Sequence, residues 1–195
     1  MDYKFVISVI GAIVGNAAFY PYVRDIFRGT TKPHIYTWLI WVLTQGTAVA
    51  ALLYGGGGIG GLTLIIGLAL IIFVLLLSFK YGSKNITVFD TVVFVSALCA
   101  ILVWSQLKNP VLAVIMVTVI DAIGYIPSIR KAYQEPWSET MWTWGVFAFS
   151  DILALFSLRE YNILTVTYLS AIVVLNLVLF STCLFRRRKL KHNGL

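Results

Sequence analysis

Two aspartates, Asp121 and Asp151, interrupt long apolar stretches of the chain. An ionisable side chain in such a stretch usually faces the interior of a helical bundle, where it binds a solute or carries protons. Shifting the chain by 106 residues places Gln45 on Asp151 and brings Asn16 within one position of Asp121. The sequence therefore predicts two polar pairs at similar depth, Asn16 with Gln45 and Asp121 with Asp151. These pairs either bind a polar solute or form hydrogen bonds between helices.

Asn176 and Trp41 are two further candidates for a solute site. Asn176 lies near the middle of an apolar stretch at 161–185. Trp41 belongs to a group of tryptophans whose rings either stack on a solute or form an aromatic belt at a membrane surface. The other members of that group are Trp38, Trp137, Trp142 and Trp144. We expect Asn176 and Trp41 to contact the solute, and most of the remaining rings to form the belt.

The composition shows which class of protein carries these residues. Apolar residues make up 59% of the 195 residues and charged residues only 12%, with a mean hydropathy of +0.89. A soluble domain is about a quarter charged, so we expect an all-α integral membrane protein. The sequence has no nucleotide motif, no metal-ligand spacing and no catalytic arrangement of Ser, His and Asp. We therefore expect neither an enzyme nor a bound cofactor.

Seven apolar stretches are long enough to predict membrane-spanning helices, each of which needs about 20 residues. A glycine run at 55–61 divides the uncharged segment from Pro33 to Phe79 into two helices, because glycine releases a helix and allows a tight turn. The predicted helices cover 5–23, 34–54, 61–80, 86–106, 109–131, 138–158 and 161–185.

The basic residues alternate between the two ends of these helices. With the N-terminus outside the membrane, 12 of the 15 lysines and arginines fall on the inner side, and Lys4, Lys108 and Arg159 fall on the outer side. This asymmetry follows the positive-inside rule and predicts a cytoplasmic C-terminus in a plasma (inner) membrane protein. Because the basic residues form no single face, we expect membrane lipid and not nucleic acid as a partner.

The same offset of 106 residues relates two longer segments of the chain. The matching residues are Pro21, Arg24, Thr37 and Trp38 in the first copy and Pro127, Arg130, Thr143 and Trp144 in the second. Three helices reverse the direction of the chain, so one extra helix is needed to give both copies the same orientation. The sequence therefore predicts parallel repeats of three helices at 1–84 and 109–185, with a linker helix at 85–108 and a basic tail at 186–195.

On these features the chain resembles the PQ-loop superfamily, which includes the SWEET sugar transporters. The resemblance covers essentially the whole chain, including a proline near the inner end of the first and fifth helices. The family's Pro-Gln dipeptide is replaced here by Pro21-Tyr22 and by Pro127-Ser128. The resemblance implies a solute path between the two bundles, with Pro21 and Pro127 as hinges. The alternative is that each proline ends its helix.

The resemblance and the intramembrane acids together predict a transporter for a small polar solute. It would work by alternating access between two helical bundles, either as a facilitator or with protons as the coupling ion. Its solute would be a sugar, an amino acid or a nucleoside-like molecule. The alternative is a membrane receptor or accessory subunit that transports nothing. Because both bundles belong to one chain, a monomer would suffice, with a homo-oligomer as the other arrangement.

Overall fold

The computed structural model describes residues 3–83, 86–106 and 109–192, and this part of the chain contains seven α-helices. The all-α fold class is therefore as the sequence predicts. The helices are α1 (Tyr3–Phe27), α2 (Ile35–Tyr54), α3 (Leu62–Tyr81), α4 (Val88–Gln106), α5 (Pro110–Gln134), α6 (Met141–Ser157) and α7 (Ile163–His192). Short 3₁₀-helices at Gly58–Gly61 and Pro136–Ser138 lie in the connections.

Five of the described helices, α1, α2, α3, α5 and α7, are long and apolar enough to cross a membrane. α6 is apolar but has only 17 residues, or about 26 Å at 1.5 Å per residue, and α4 is not in this set. The outward faces of the helices carry large apolar side chains, such as Ile13, Leu76 and Phe156, which are 64%, 62% and 62% exposed. Long apolar helices with large apolar side chains facing outward are typical of contact with lipid, which indicates that the chain is embedded in a membrane.

α1 and α5 continue beyond Pro21 and Pro127, so the alternative in which each proline ends its helix is wrong. α1 ends at Phe27 and α5 ends at Gln134. In α1 the residue after the proline, Tyr22, is buried in the bundle, and this packing holds the helix together past the proline. A proline inside a helix removes one backbone hydrogen bond and is a common point of bending.

The break between α2 and α3 is the glycine run at 55–61. Gly56 and Gly58 have positive φ angles of 79° and 57°, a conformation that residues with a Cβ atom rarely adopt. Gly57 and Gly61 lie against the side chain of Leu52, where a Cβ atom would collide. The run therefore turns the chain tightly enough for α3 to pack back against α2.

The helix contacts link all seven helices into one bundle. α3 lies against both α1 and α2, and α7 lies against both α5 and α6. α1 also packs closely against α6, and α2 against α5, while α4 lies beside α5 and α2. We refer to α1–α3 as the first triplet and to α5–α7 as the second triplet.

Two hydrogen bonds join the triplets at matching positions. Thr37 Oγ1 donates to the Gly124 carbonyl at 3.3 Å, and Thr143 Oγ1 donates to the Ala18 carbonyl at 3.2 Å. The two donors are 106 residues apart, and so are the two acceptors. In each case the second helix of one triplet is tied to the first helix of the other.

One end of the bundle, here called the basic end, is formed where α1, α3, α5 and α7 finish. The segment predicted as a basic tail continues α7 as far as His192. Arg186 Nε donates to the Tyr133 carbonyl at 2.8 Å, and Arg187 Nε donates to the Pro136 carbonyl at 3.0 Å. These bonds hold the end of α7 against the connection between α5 and α6.

A buried ionic cluster fixes α4 at the basic end. Asp90, in the first turn of α4, is fully buried; its Oδ2 accepts a hydrogen bond from Thr87 Oγ1 at 2.7 Å and pairs with Arg130 Nη2 at 3.2 Å. His34 Nε2 lies 3.4 Å from the same oxygen. Burial lowers the pKa of His34, although the Asp90 charge opposes this. Arg130, whose guanidinium group stays protonated, is the permanent counter-charge of Asp90.

Candidate functional site

A cavity of about 70 Å³ lies between the two triplets, midway along their helices. A single water needs about 10–15 Å³ by this measure, so the cavity has room for a small solute. All six residues predicted to bind a solute line it: Asn16, Trp41, Gln45, Asp121, Asp151 and Asn176. Pro21 and Pro127 lie between the cavity and the basic end of their helices.

Asp121 is held by side chains from two neighbouring helices. Its Oδ1 accepts hydrogen bonds from Thr44 Oγ1 of α2 and, at 3.3 Å, from the Tyr168 hydroxyl of α7. The carboxyl group is buried. Asp121 on α5 therefore links the first triplet to the second at the level of the cavity.

Asp151 belongs to a second hydrogen-bonded chain, which passes through Asn176 of α7. Asn176 Nδ2 donates to Asp151 Oδ2 at 2.9 Å, and the Tyr125 hydroxyl donates to Asn176 Oδ1 at 2.9 Å. All three side chains are buried. Asn176 therefore orients the carboxyl group of α6 and the phenol of α5 at the same time.

The two amides of the first triplet are bonded to backbone only. Gln45 Nε2 donates to the Leu64 carbonyl of α3 at 2.8 Å, and Asn16 Nδ2 donates to the Ala12 carbonyl of its own helix at 2.6 Å. Gly67 leaves room for the Gln45 amide, because a Cβ atom there would lie 3.1 Å from Nε2. The side-chain carbonyl oxygens of both amides take no hydrogen bond from the described residues, so they are available to a solute.

The sequence reasoning missed the hydroxyl groups around the acids. Thr44 and Tyr168 donate to Asp121, and Tyr125 donates to Asn176, the partner of Asp151. Tyr168 and Asn176 are eight residues apart on α7, a spacing that places them on one face of a helix two turns apart. That spacing in an apolar segment is the one signal that predicts Tyr168.

Three of the tryptophans line the cavity and do not form a surface belt. Trp38, Trp41 and Trp144 are buried and line the cavity, so the belt interpretation is wrong for them. Trp137 and Trp142 are 49% and 68% exposed, as a belt requires. Trp41 Nε1 is buried and has no hydrogen-bond partner among the described residues, which leaves it as a donor beside the cavity.

An aromatic layer separates the cavity from the basic end. Its rings come from both triplets and lie 4.7–5.9 Å apart, centre to centre, in the pairs Tyr22–Trp38, Tyr22–Trp144, Trp38–Trp41, Trp41–Tyr125 and Trp41–Trp144. Tilted and edge-on arrangements of this kind are favourable packing for aromatic rings. The layer therefore borders the cavity on the side of the basic end.

Polar contacts between the triplets lie beyond the aromatic layer. The hydroxyl oxygens of Thr31 and Thr140 are 2.8 Å apart, and Thr140 Oγ1 donates to Asp25 Oδ2 at 2.9 Å. Since the Thr140 proton goes to Asp25, Thr31 is the donor in the first bond. Lys131 Nζ also reaches across, to the Lys32 carbonyl at 2.9 Å.

The other end of the cavity is bordered by aliphatic packing. The cluster there includes Leu52 and Leu64 of the first triplet and Val114 and Leu169 of the second. Nearer the end of the bundle, Asn162 Nδ2 donates to the Gly55 carbonyl at 2.9 Å, which again joins the two triplets. The cavity is therefore bordered at both ends by contacts between the same two groups of helices.

Comparison with protein-family models, with curated proteins and with solved structures found no match for this chain. Its function therefore has to be argued from the site itself. The chemistry of that site is set by two buried carboxyl groups, three amides and several indole and phenol rings around one small cavity.

Proposed function

We propose that this protein transports a small polar solute by alternating access between the two triplets. The observation that supports this most strongly is the position of the polar cavity. It lies midway along the helices, and the contacts that border it at either end join one triplet to the other. Separating the triplets at one end would open the cavity to that side and leave it closed to the other.

The proposal includes two parallel repeats, with all seven helices crossing the membrane and the basic end in the cytoplasm. Three features support the repeats: the packing order is the same in both triplets, the contacts between triplets are reciprocal, and the Thr37 and Thr143 hydrogen bonds match at the offset of 106. Reciprocal contacts let one rocking motion change both interfaces together. The basic residues support the orientation through the positive-inside rule.

The two prolines are the proposed hinges. Pro21 and Pro127 lie inside helices, between the cavity and the basic end, and each belongs to the first helix of its triplet. Bending at both prolines would move the ends of α1 and α5, together with Tyr22 of the aromatic layer, while the rest of each triplet stays packed. This is the motion that opens the basic end.

Two-sided labelling of a cavity cysteine tests transport without knowledge of the solute. The variant is Asn16→Cys in a background of Cys99→Ser and Cys183→Ala, reconstituted in oriented proteoliposomes. A membrane-impermeant maleimide is added to one side at a time, and labelling is quantified by mass spectrometry. Because alternating access exposes the cavity to each side in turn, we expect labelling from both sides.

Two control cysteines calibrate this experiment. Thr30→Cys, exposed at the basic end, should be labelled from one side only, and Ile13→Cys, on the lipid-facing side of α1, from neither. Labelling of the Asn16→Cys variant from a single side would indicate a receptor-type pocket and would contradict transport. Labelling from neither side would show that the cavity never opens, which contradicts it equally.

A further inference from the structure

The cavity carries two acidic groups and no basic one. Asp121 and Asp151 both line it, from α5 and α6, and its described lining contains no lysine, arginine or histidine. The three side chains that donate hydrogen bonds to the two carboxyl groups, Thr44, Tyr168 and Asn176, are all neutral. A buried carboxylate without a counter-charge is costly, so a solute that brings a positive charge gains the most here.

Each carboxyl group also keeps one oxygen free for a solute. The described hydrogen bonds reach Oδ1 of Asp121 and Oδ2 of Asp151. The second oxygen of each group takes no hydrogen bond from the described residues. The neutral donors therefore fix the orientation of both carboxyl groups without using up their capacity to accept.

The remaining lining favours an organic cation over a metal ion. Rings of Phe19, Trp38, Trp41, Trp144 and Phe147 face the same cavity, and the face of an indole ring attracts a cation at short range. A hard metal ion takes six or more oxygen ligands, and the described residues contain no group of three or more acidic, histidine or cysteine side chains that could hold one. Carboxylates together with aromatic faces suit an ammonium or guanidinium group.

We propose that the cavity binds a small organic cation, with Asp121 and Asp151 as counter-charges and the tryptophan rings as its apolar walls. This inference rests on the proposed transport function and narrows its solute class from polar molecules in general to amines and guanidines. At about 70 Å³ the cavity has room for about five waters. The solute therefore has roughly five to seven non-hydrogen atoms inside the site.

Binding of two matched pairs of probes to the purified protein in nanodiscs tests the inference. One pair is choline and its uncharged isostere 3,3-dimethylbutan-1-ol; the other is 4-aminobutan-1-ol and butane-1,4-diol. Binding is followed by isothermal titration calorimetry and by the fluorescence of the cavity tryptophans. In at least one pair we expect the cation to bind at least about tenfold more tightly than its isostere, as loss of a buried charge pair implies.

Variants then assign the effect to the two acids. Asp121→Asn and Asp151→Asn should each weaken cation binding about tenfold or more and should affect binding of the uncharged isostere less than binding of the cation. Glu160→Gln, an exposed residue outside the cavity, should change neither. If a variant fails to fold, the inference is tested by the binding of each cation and its uncharged isostere to the unmodified protein alone.

The outcomes separate this inference from the transport proposal. Equal binding of cation and isostere, no binding of either cation, or full cation binding by both asparagine variants would overturn the inference. If a neutral solute is carried across proteoliposomes while no cation binds, transport stands and the cationic solute class is wrong. If cations bind through the two acids but Asn16→Cys is labelled from one side only, the site stands and transport is wrong.

Discussion

Oxidation of a Thr31→Cys/Thr140→Cys variant is expected to close the basic end in every molecule. The two hydroxyl oxygens are 2.8 Å apart, so cysteine sulfurs in their place need only a small shift to reach the disulfide bond length of about 2.05 Å. The bond would join the two triplets beyond the aromatic layer, where they must separate for the cavity to open. With Asn16→Cys as the reporter, labelling from the basic side should fall by more than about tenfold and return on reduction.

A disulfide within one triplet is the matched control. A Cβ atom at Gly145 would lie 3.7 Å from Cγ of Phe180, so Gly145→Cys/Phe180→Cys would join α6 to α7 without bridging the triplets. Oxidation of this pair should leave the labelling of the reporter unchanged. If the Thr31/Thr140 disulfide forms, as mass spectrometry would show, and labelling from the basic side continues, the triplets do not separate at that end.

Replacing Asn176 with leucine is expected to have the largest effect on stability. Asn176 Nδ2 is the donor to Asp151, and Asn176 Oδ1 is the acceptor for the Tyr125 hydroxyl. Leucine has a similar volume but leaves both partners unpaired, and each buried unpaired group costs about 1–3 kcal/mol. We expect Asn176→Leu to lower the free energy of unfolding by about 2–4 kcal/mol, measured by chemical unfolding in detergent micelles.

Asn16→Leu is the control for this variant, because the Asn16 amide bonds only to a carbonyl of its own helix. Asn16→Leu should lower the free energy of unfolding by less than about 1 kcal/mol. In the background of Asp151→Asn, the loss in free energy of unfolding caused by Asn176→Leu should be smaller, because no buried carboxyl group is then left unpaired. Equal effects of Asn176→Leu and Asn16→Leu would show that the chain from Asp151 to Tyr125 contributes no stability.

Helix positions were predictable because a membrane-spanning helix needs a long apolar stretch, and each connection between helices interrupts the apolar sequence. The glycine run at 55–61 and the basic connections mark the breaks, and α2, α3 and α4 begin and end within two residues of the predicted limits. α1, α5 and α7 extend further than expected. Their last turns are stabilised by contacts with other elements, such as the Arg186 bond to the Tyr133 carbonyl, which no local pattern shows.

The cavity residues illustrate what local pattern can and cannot indicate. Asp121 and Asp151 are conspicuous because a charge is rare in an apolar helix, and both line the cavity. Thr44 and Tyr125 are not conspicuous, since a threonine or tyrosine in a membrane helix commonly bonds its own backbone or faces the interface. Their importance follows from which helices pack together, and that information is absent from any single segment.

The tryptophans also show that a local sequence pattern does not reveal which side chains are buried. Their position near one end of the bundle is as typical of an interfacial belt as of a buried layer. Trp144 is buried because α6 packs against α1, where Tyr22 of α1 meets its ring. Trp142, two residues earlier, faces outward. Helical periodicity separates the two faces, but only the packing decides which of them is inside.

Paired distances measured by double electron–electron resonance in lipid test the rocking of the triplets most directly. Spin labels at Thr30 and Trp137 report the basic end, labels at Tyr54 and Tyr161 report the opposite end, and labels at Tyr20 and Phe79 lie within the first triplet. All six positions are exposed. We predict two label-to-label distances at each end of the bundle. Conditions that favour the longer distance at the basic end should favour the shorter distance at the opposite end. The distance within the first triplet should stay constant. A single distance at both ends, unchanged by pH or by any cation that binds, would contradict alternating access.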